Sequence, residues 1–110
     1  MKPKVYVAGP YSQGVVAENV RNAVFAAERL VQLDCSPYIP HLSHLWELIQ
    51  PHCYEFWLHH DMEWLRVCDA LLRLPGHSPG ADREVAEAQR LGIPVFYSLP
   101  ELRKWVSNRG

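Results

Sequence analysis

The sequence predicts one α/β domain over residues 1–110, a parallel sheet of about four to five strands flanked by helices. Three observations predict it. Short apolar runs of strand length alternate with longer stretches of helical periodicity, the pattern of a parallel sheet covered on both faces. The strand-like runs empty into Gly- and Pro-containing turns, where side chains and backbone donors end together. And 110 residues leave room for one core only. The arrangement these features describe is Rossmann- or flavodoxin-like.

Val5 to Ala8 is a buried strand ended by Gly9-Pro10. From about Val15 to Leu33, Val16, Val20, Ala23, Val24, Ala27, Leu30 and Val31 recur at helical spacing. Cys35 to Pro40 reads as an edge strand, because Pro37 and Pro40 would interrupt a central one. "HLSHLWELIQPHCYEFWLHHDMEWLRVC" is rich in His and Trp and broken by Pro51, which divides it into a short helix and a longer one. Asp69 to Leu74 is a third strand and Pro79 to Leu91 a helix stopped by Gly92. Ile93 to Ser98 is a fourth strand, and Pro100 to Val106 a closing helix. Ligands of such sheets bind outside the carboxyl ends of the strands. The loops there are Gly9–Gly14, Pro40–His44 and Pro75–Gly80.

Composition excludes several classes of partner. A net charge of −1 supplies no electrostatic footprint for duplex nucleic acid or for an acidic membrane. No apolar run approaches a membrane span, and the opening Met1-Lys2-Pro3-Lys4 is not the start of a signal peptide. Three cysteines, without a CxxC pair, read as reduced thiols in a cytoplasm. A domain this small buries only part of its apolar surface, which predicts a homodimer or higher homo-oligomer.

Four stretches could carry chemistry. In "YVAGPYSQG", Gly9 lets the chain turn tightly, and backbone N–H groups near Ser12 to Gly14 could face an anion at a helix start. It completes neither a P-loop nor GxGxxG, so an ordinary strand-to-helix turn is the equal alternative, with Tyr6 a core aromatic. In "LPGHSPGADREVAEAQ", a Gly-rich turn precedes a helix and leaves room for a ligand. Glu84 lies in about the first turn, where the helix dipole favours its ionised form; Asp82 is placed as a cap or dipole partner, and Glu87 is solvated. An ionised carboxylate is what a glycosyl nucleophile requires, although a structural role for Glu84 stands beside that reading. In "HHDMEWLRVCDALL", Asp61 could be the second carboxyl group of such a pair, while Asp69 caps or pairs structurally. Of the histidines, His41 and His44 at i, i+3 resemble half a zinc motif, but no second pair completes it. They line the ligand cleft instead, and no metal is predicted. Trp46, Trp57 and Trp64 read as core or subunit interface, with stacking on a base the secondary possibility.

Together these stretches resemble the nucleoside 2-deoxyribosyltransferase-like superfamily, which includes deoxyribosyltransferases, 2′-deoxynucleoside 5′-monophosphate N-glycosidases and small bacterial and phage domains. "VYVAGPYS" resembles its first strand and glycine turn, "HHDMEWLRVCDALLRL" its Asp-bearing helix and third strand, and "SPGADREVAEAQRLGIPVF" its Ser-x-Gly followed by a Glu. The resemblance covers nearly the whole chain. It implies Glu84 as nucleophile, Asp61 as carboxyl partner and Tyr6 orienting nucleophile or sugar, with Ser78 and the Gly80 backbone near the 5′ end of the sugar. With Gly9, Tyr11, Ser12, His41 and His44 these would hold a small-molecule nucleoside or nucleotide, without a cofactor. The basic residue that the monophosphate glycosidases have in the first loop is missing from Pro10 to Gln13, and the Gly-Tyr pair that precedes the nucleophile in many members is Asp82-Arg83. The alternative function is a non-catalytic nucleotide-binding or sensing module, since one fold hosts many functions.

Overall fold

A computed structural model describes residues 1–109. Four strands, β1 (Lys4–Ala8), β2 (Ser36–Tyr38), β3 (Ala70–Arg73) and β4 (Val95–Phe96), form an all-parallel sheet in the order β2-β1-β3-β4. The helices are α1 (Val16–Gln32), α2 (Ser43–Ile49), α3 (Tyr54–Leu65), α4 (Pro79–Arg90) and α5 (Leu99–Ser107), with a single 3₁₀ turn at Pro40–Leu42. The chain runs outward from β1 to β2, then returns to the opposite side of β1 as β3. The order therefore reverses between β1 and β3, which opens a crevice at their carboxyl ends.

The period of two along a strand sorts the core into two halves. Val5 and Val7 face α1 and α5, packing with Ala26, Leu30, Leu72 and Leu102. Tyr6 and Ala8 face the other way, into the half built from Leu65, Leu71, Ala81 and Ala88 of α3, β3 and α4. This parity delivers the Tyr6 ring to the side on which Asp61 and Glu84 lie.

Several boundaries differ from the sequence-based expectation. The second strand is shorter than Cys35–Pro40, but it is an edge strand, and Pro37 sits in it opposite Val5. Pairing in the fourth strand is confined to Val95–Phe96, because Pro94 has no N–H to donate and Ser98 already caps α5. Asp82 does not cap α4. The Ser78 hydroxyl does, accepting the Ala81 N–H at 3.1 Å, with Pro79 in the first turn. Asp69 pairs structurally, its carboxylate accepting the Lys4 N–H at 2.8 Å. Glu87 is half-buried and pairs with Arg90 rather than standing free in solvent. Helix α2 leaves Leu45, Leu48 and Ile49 exposed, together with Leu42 just before it. Among the described residues no helix is long and apolar enough to cross a membrane.

Candidate active site

The crevice at the switch point holds a cleft of about 430 Å³, within the range of small-molecule sites. Its walls come from the loop after β1, the turn after β2, Ser43 and Glu47 of α2, the start of α4, and one stripe of α3. On α3 the stripe is Tyr54, Trp57, Leu58 and Asp61, the i, i+3, i+4, i+7 set that shares a helix face.

Glu84 lines this cleft and is 7% exposed. It belongs to the inward stripe of α4 with Ala81 and Ala88, a turn deeper than the position where a helix dipole acts most strongly. Tyr6, fully buried beneath it, donates its O–H to Glu84 Oε2. Burial raises the Glu84 pKa to about 8. The Tyr6 hydrogen bond and the positive charge of Arg73 pull it down, while the Asp61 charge adds to the rise. Desolvation thus opposes the ionised form that the helix dipole at the start of α4 favours. Burial also raises the Tyr6 pKa, reinforced by the charges of Glu84 and Asp61.

Asp61 enters the same cleft from α3. Burial lifts its pKa to about 7, against a long hydrogen bond of 3.4 Å from the Tyr38 hydroxyl that acts downward. Tyr38 lies 5.5 Å from Tyr6 between ring centroids and stacks on Trp64 at 5.8 Å, so the two tyrosines that bond the carboxyl groups are neighbours in one aromatic cluster. Two carboxyl groups that interact, both poised near neutrality in one cavity, can supply one nucleophile and one proton donor.

The substrate-binding candidates divide into wall and support. Gly9, Tyr11, Ser12, His41, Ser78 and Gly80 line the cleft; His44 does not. The Tyr11 hydroxyl and His44 Nδ1 are hydrogen-bonded at 2.6 Å, and His41 Nε2 is bonded to the Pro10 carbonyl at 3.0 Å. The two histidines therefore pin the first loop, and their ring nitrogens engage different groups. Burial pushes the His41 pKa down, and its Nδ1 has no hydrogen-bond partner among the described residues. Asn19 adds a second staple, donating to the carbonyls of Tyr11 and Gln13 at 2.8 and 2.7 Å.

The glycines of the α4 approach serve the backbone more than a ligand. Gly76 has φ +114°, and a Cβ there would lie 2.8 Å from Pro10 Cγ; a Cβ on Gly9 would lie 3.0 Å from Leu74 Cβ. These contacts are where the turns after β1 and β3 cross. At Gly80 a Cβ would meet only the Tyr54 hydroxyl, at 3.5 Å.

Three contributors, Arg73, Tyr54 and Tyr38, are not singled out by the sequence, which reads Trp57 first as core or subunit interface. Arg73, buried at the end of β3, donates to the Leu74 carbonyl, to the Gly76 carbonyl at 3.0 Å and to Asp82 at 3.0 Å, locking the turn onto α4. A charged residue closing the apolar run "ALLR" was its one visible signal. Tyr54 and Trp57 line the cleft, and Tyr38 reaches Asp61; "PYIP" and the Trp-rich stretch showed the residues but not their direction. None of Trp46, Trp57 or Trp64 is buried core: Trp46 and Trp64 are about half exposed, and Trp57 is half-buried in the cleft wall. Arg83 also lines the cleft, its guanidinium 5.5 Å from the centroid of the Tyr54 ring.

A family described as a domain of unknown function (DUF7768) matches residues 3–98. No curated protein matches the chain by sequence. Solved structures share its fold. A 2-deoxyribosyltransferase from the psychrotolerant bacterium Bacillus psychrosaccharolyticus is 23% identical, with a TM-score of 0.67 over 84% of this chain and 69% of that one. A conserved protein from Enterococcus faecalis V583 is 25% identical, with a TM-score of 0.71 over 86% and 62%. A 2-desoxiribosyltransferase from Leishmania mexicana is 19% identical, with a TM-score of 0.63 over 84% and 61%. The chain thus spans about two thirds of the length of these structural relatives and has the 2-deoxyribosyltransferase fold.

Proposed function

We propose that this chain, which belongs to the DUF7768 domain family, cleaves the N-glycosidic bond of 2′-deoxynucleosides or their 5′-monophosphates. The observation that carries this reading is that Asp61 and Glu84 line one cleft, each bonded to a tyrosine hydroxyl and each raised towards neutrality by burial. In the active form Glu84 is the carboxylate and Asp61 the acid. Glu84 attacks C1′ as the C1′–N bond breaks through an oxocarbenium-like transition state. The bonding electron pair leaves with the base, which takes the Asp61 proton, and a glycosyl ester of Glu84 remains. Water or a second base then adds to C1′, giving its proton to Asp61 and releasing Glu84 as carboxylate. Configuration is retained through two inversions.

Tyr6 supports the reactive state directly, since its O–H stabilises the charged form of Glu84. A 2′-hydroxyl would withdraw electrons from the developing cation, so the deoxy sugar is the easier substrate. The first loop, held by Asn19, His41 and His44, would form a fixed wall beside the sugar or base, and Ser78 and Gly80 would face the 5′ end of the sugar. The exposed apolar residues of α2 support assembly into a homodimer or higher homo-oligomer.

The burial of Glu84, which raises its pKa to about 8 and so opposes the charged form, favours a second reading, a nucleotide-binding module without turnover. Chromatography of free base released from a panel of deoxynucleosides and deoxynucleotides, with and without an acceptor base, separates the two. Base release that disappears in Glu84→Gln is the expected result. Ligand binding with no release from any member of the panel overturns the glycosidase reading.

A further inference from the structure

Trp57 has a setting unlike that of the other aromatics around it. Its indole N–H donates to Glu47 Oε1 at 2.5 Å, and the same oxygen accepts the His52 backbone N–H at 2.8 Å. Those two hydrogen bonds hold the Glu47 carboxyl below the usual carboxylate range, so the acceptor stays charged and the ring plane stays fixed. Trp46, His52, Phe56 and His60 all surround Trp57, and all meet it at 83–89° between ring planes. Phe56, by contrast, is already stacked between His52 and His60, at 14° and 12°. Among the described residues no ring lies parallel on Trp57, although it forms part of the cleft wall. The nearby Tyr54 ring is covered by the Arg83 guanidinium.

The position of Trp57 adds chemical meaning. It precedes Asp61 by four residues on the cleft stripe of α3, about one helical turn or 6 Å along the axis. A leaving base that takes its proton from Asp61 must lie within hydrogen-bond reach of that carboxyl, and the ring one turn away can then cover the face of the base.

We infer that Trp57 is the platform on which the planar base of the ligand stacks, with Glu47 as the positioning residue that holds the indole in plane. The inference rests on the glycosidase reading for the identity of the ligand, but it concerns binding and has its own test. Adenine, hypoxanthine and thymine as free bases, and 2-deoxyribose 5-phosphate as a base-free control, would be titrated calorimetrically into the native protein, Trp57→Phe and Trp57→Leu. Stacking predicts that Trp57→Leu weakens binding of the bases by about tenfold or more, and that Trp57→Phe weakens it by only about two- to fivefold. Neither variant should change the affinity for the sugar phosphate.

The platform is overturned if none of the bases binds the native protein, if Trp57→Leu binds them unchanged, or if both variants lose bases and sugar phosphate equally. Trp57-dependent base binding in a protein that releases no base keeps the platform and removes the glycosidase. Base release whose KM is indifferent to Trp57→Leu, with base binding also unchanged, does the reverse.

Discussion

Replacing Glu84 by Gln tests whether this carboxyl is held in the fold at an electrostatic cost. Gln keeps the shape and an oxygen to accept the Tyr6 O–H, but has no charge to desolvate. In the native protein Glu84 titrates near 8, against 4.5 for an ordinary glutamate, because it is buried. A carboxyl raised on folding binds its proton more tightly in the native state than in the unfolded one. Its contribution to stability is therefore complete below about pH 4.5, declines as pH rises, and is lost above about pH 8. At about 1.4 kcal/mol per pKa unit the loss across that window is about 5 kcal/mol, an upper figure for a domain of ordinary stability. Glu84→Gln escapes this loss. Its stability relative to the native protein should rise by several kcal/mol between pH 5 and pH 8.5, which at about 4 °C per kcal/mol moves the difference in Tm by about 10–20 °C. Asp61, raised for the same reason, titrates in both proteins and largely cancels from the comparison. The assay is urea or thermal unfolding of the two proteins across that pH range. A stability difference that is flat with pH, or that grows towards acid, would refute the argument that desolvation governs Glu84.

The same two carboxyls set the pH dependence of base release. With Asp61 near 7 and Glu84 near 8, the form with Asp61 protonated and Glu84 ionised is a minority species that peaks between the two values. The rate should therefore follow a bell with bends near 7 and 8, and a rate still rising at pH 9.5 would contradict it. Tyr6→Phe removes the hydroxyl that pulls Glu84 down, so the Glu84 pKa rises. The alkaline bend should move upward, and the rate at neutral pH should fall by about 10- to 100-fold. Unchanged pH–rate profiles would separate Tyr6 from the nucleophile. Gly76→Ala should destabilise the fold by about 1–3 kcal/mol, read as a lower urea midpoint, because φ is +114° and the new Cβ would press on Pro10.

The alternation of strands and helices, the edge position of the Pro37 strand and the parallel sheet were legible in the residues, because hydrophobic period and Gly/Pro punctuation act over a few neighbours. The same local signals placed the three loops that gather at the cleft, and the quoted motifs drew attention to Asp61 and Glu84. Other features depended on parts of the chain far apart in sequence. Tyr6 and Glu84 are 78 positions apart, and their hydrogen bond exists because strand parity turns Tyr6 towards α4. The upward shift of the Glu84 pKa follows from how much water the packed helices exclude, a quantity no local window contains. Ser78 caps α4 because the helix starts at Pro79, which places Asp82 inside the first turn, where its carboxylate meets Arg73. The Trp57 indole joined the cleft wall in the same way, its direction set by the register of α3 against the sheet and by Glu47 on the preceding helix. Period and punctuation are properties of neighbours along the chain; desolvation, partner choice and side-chain direction belong to the assembled core, and only the tertiary structure decided them.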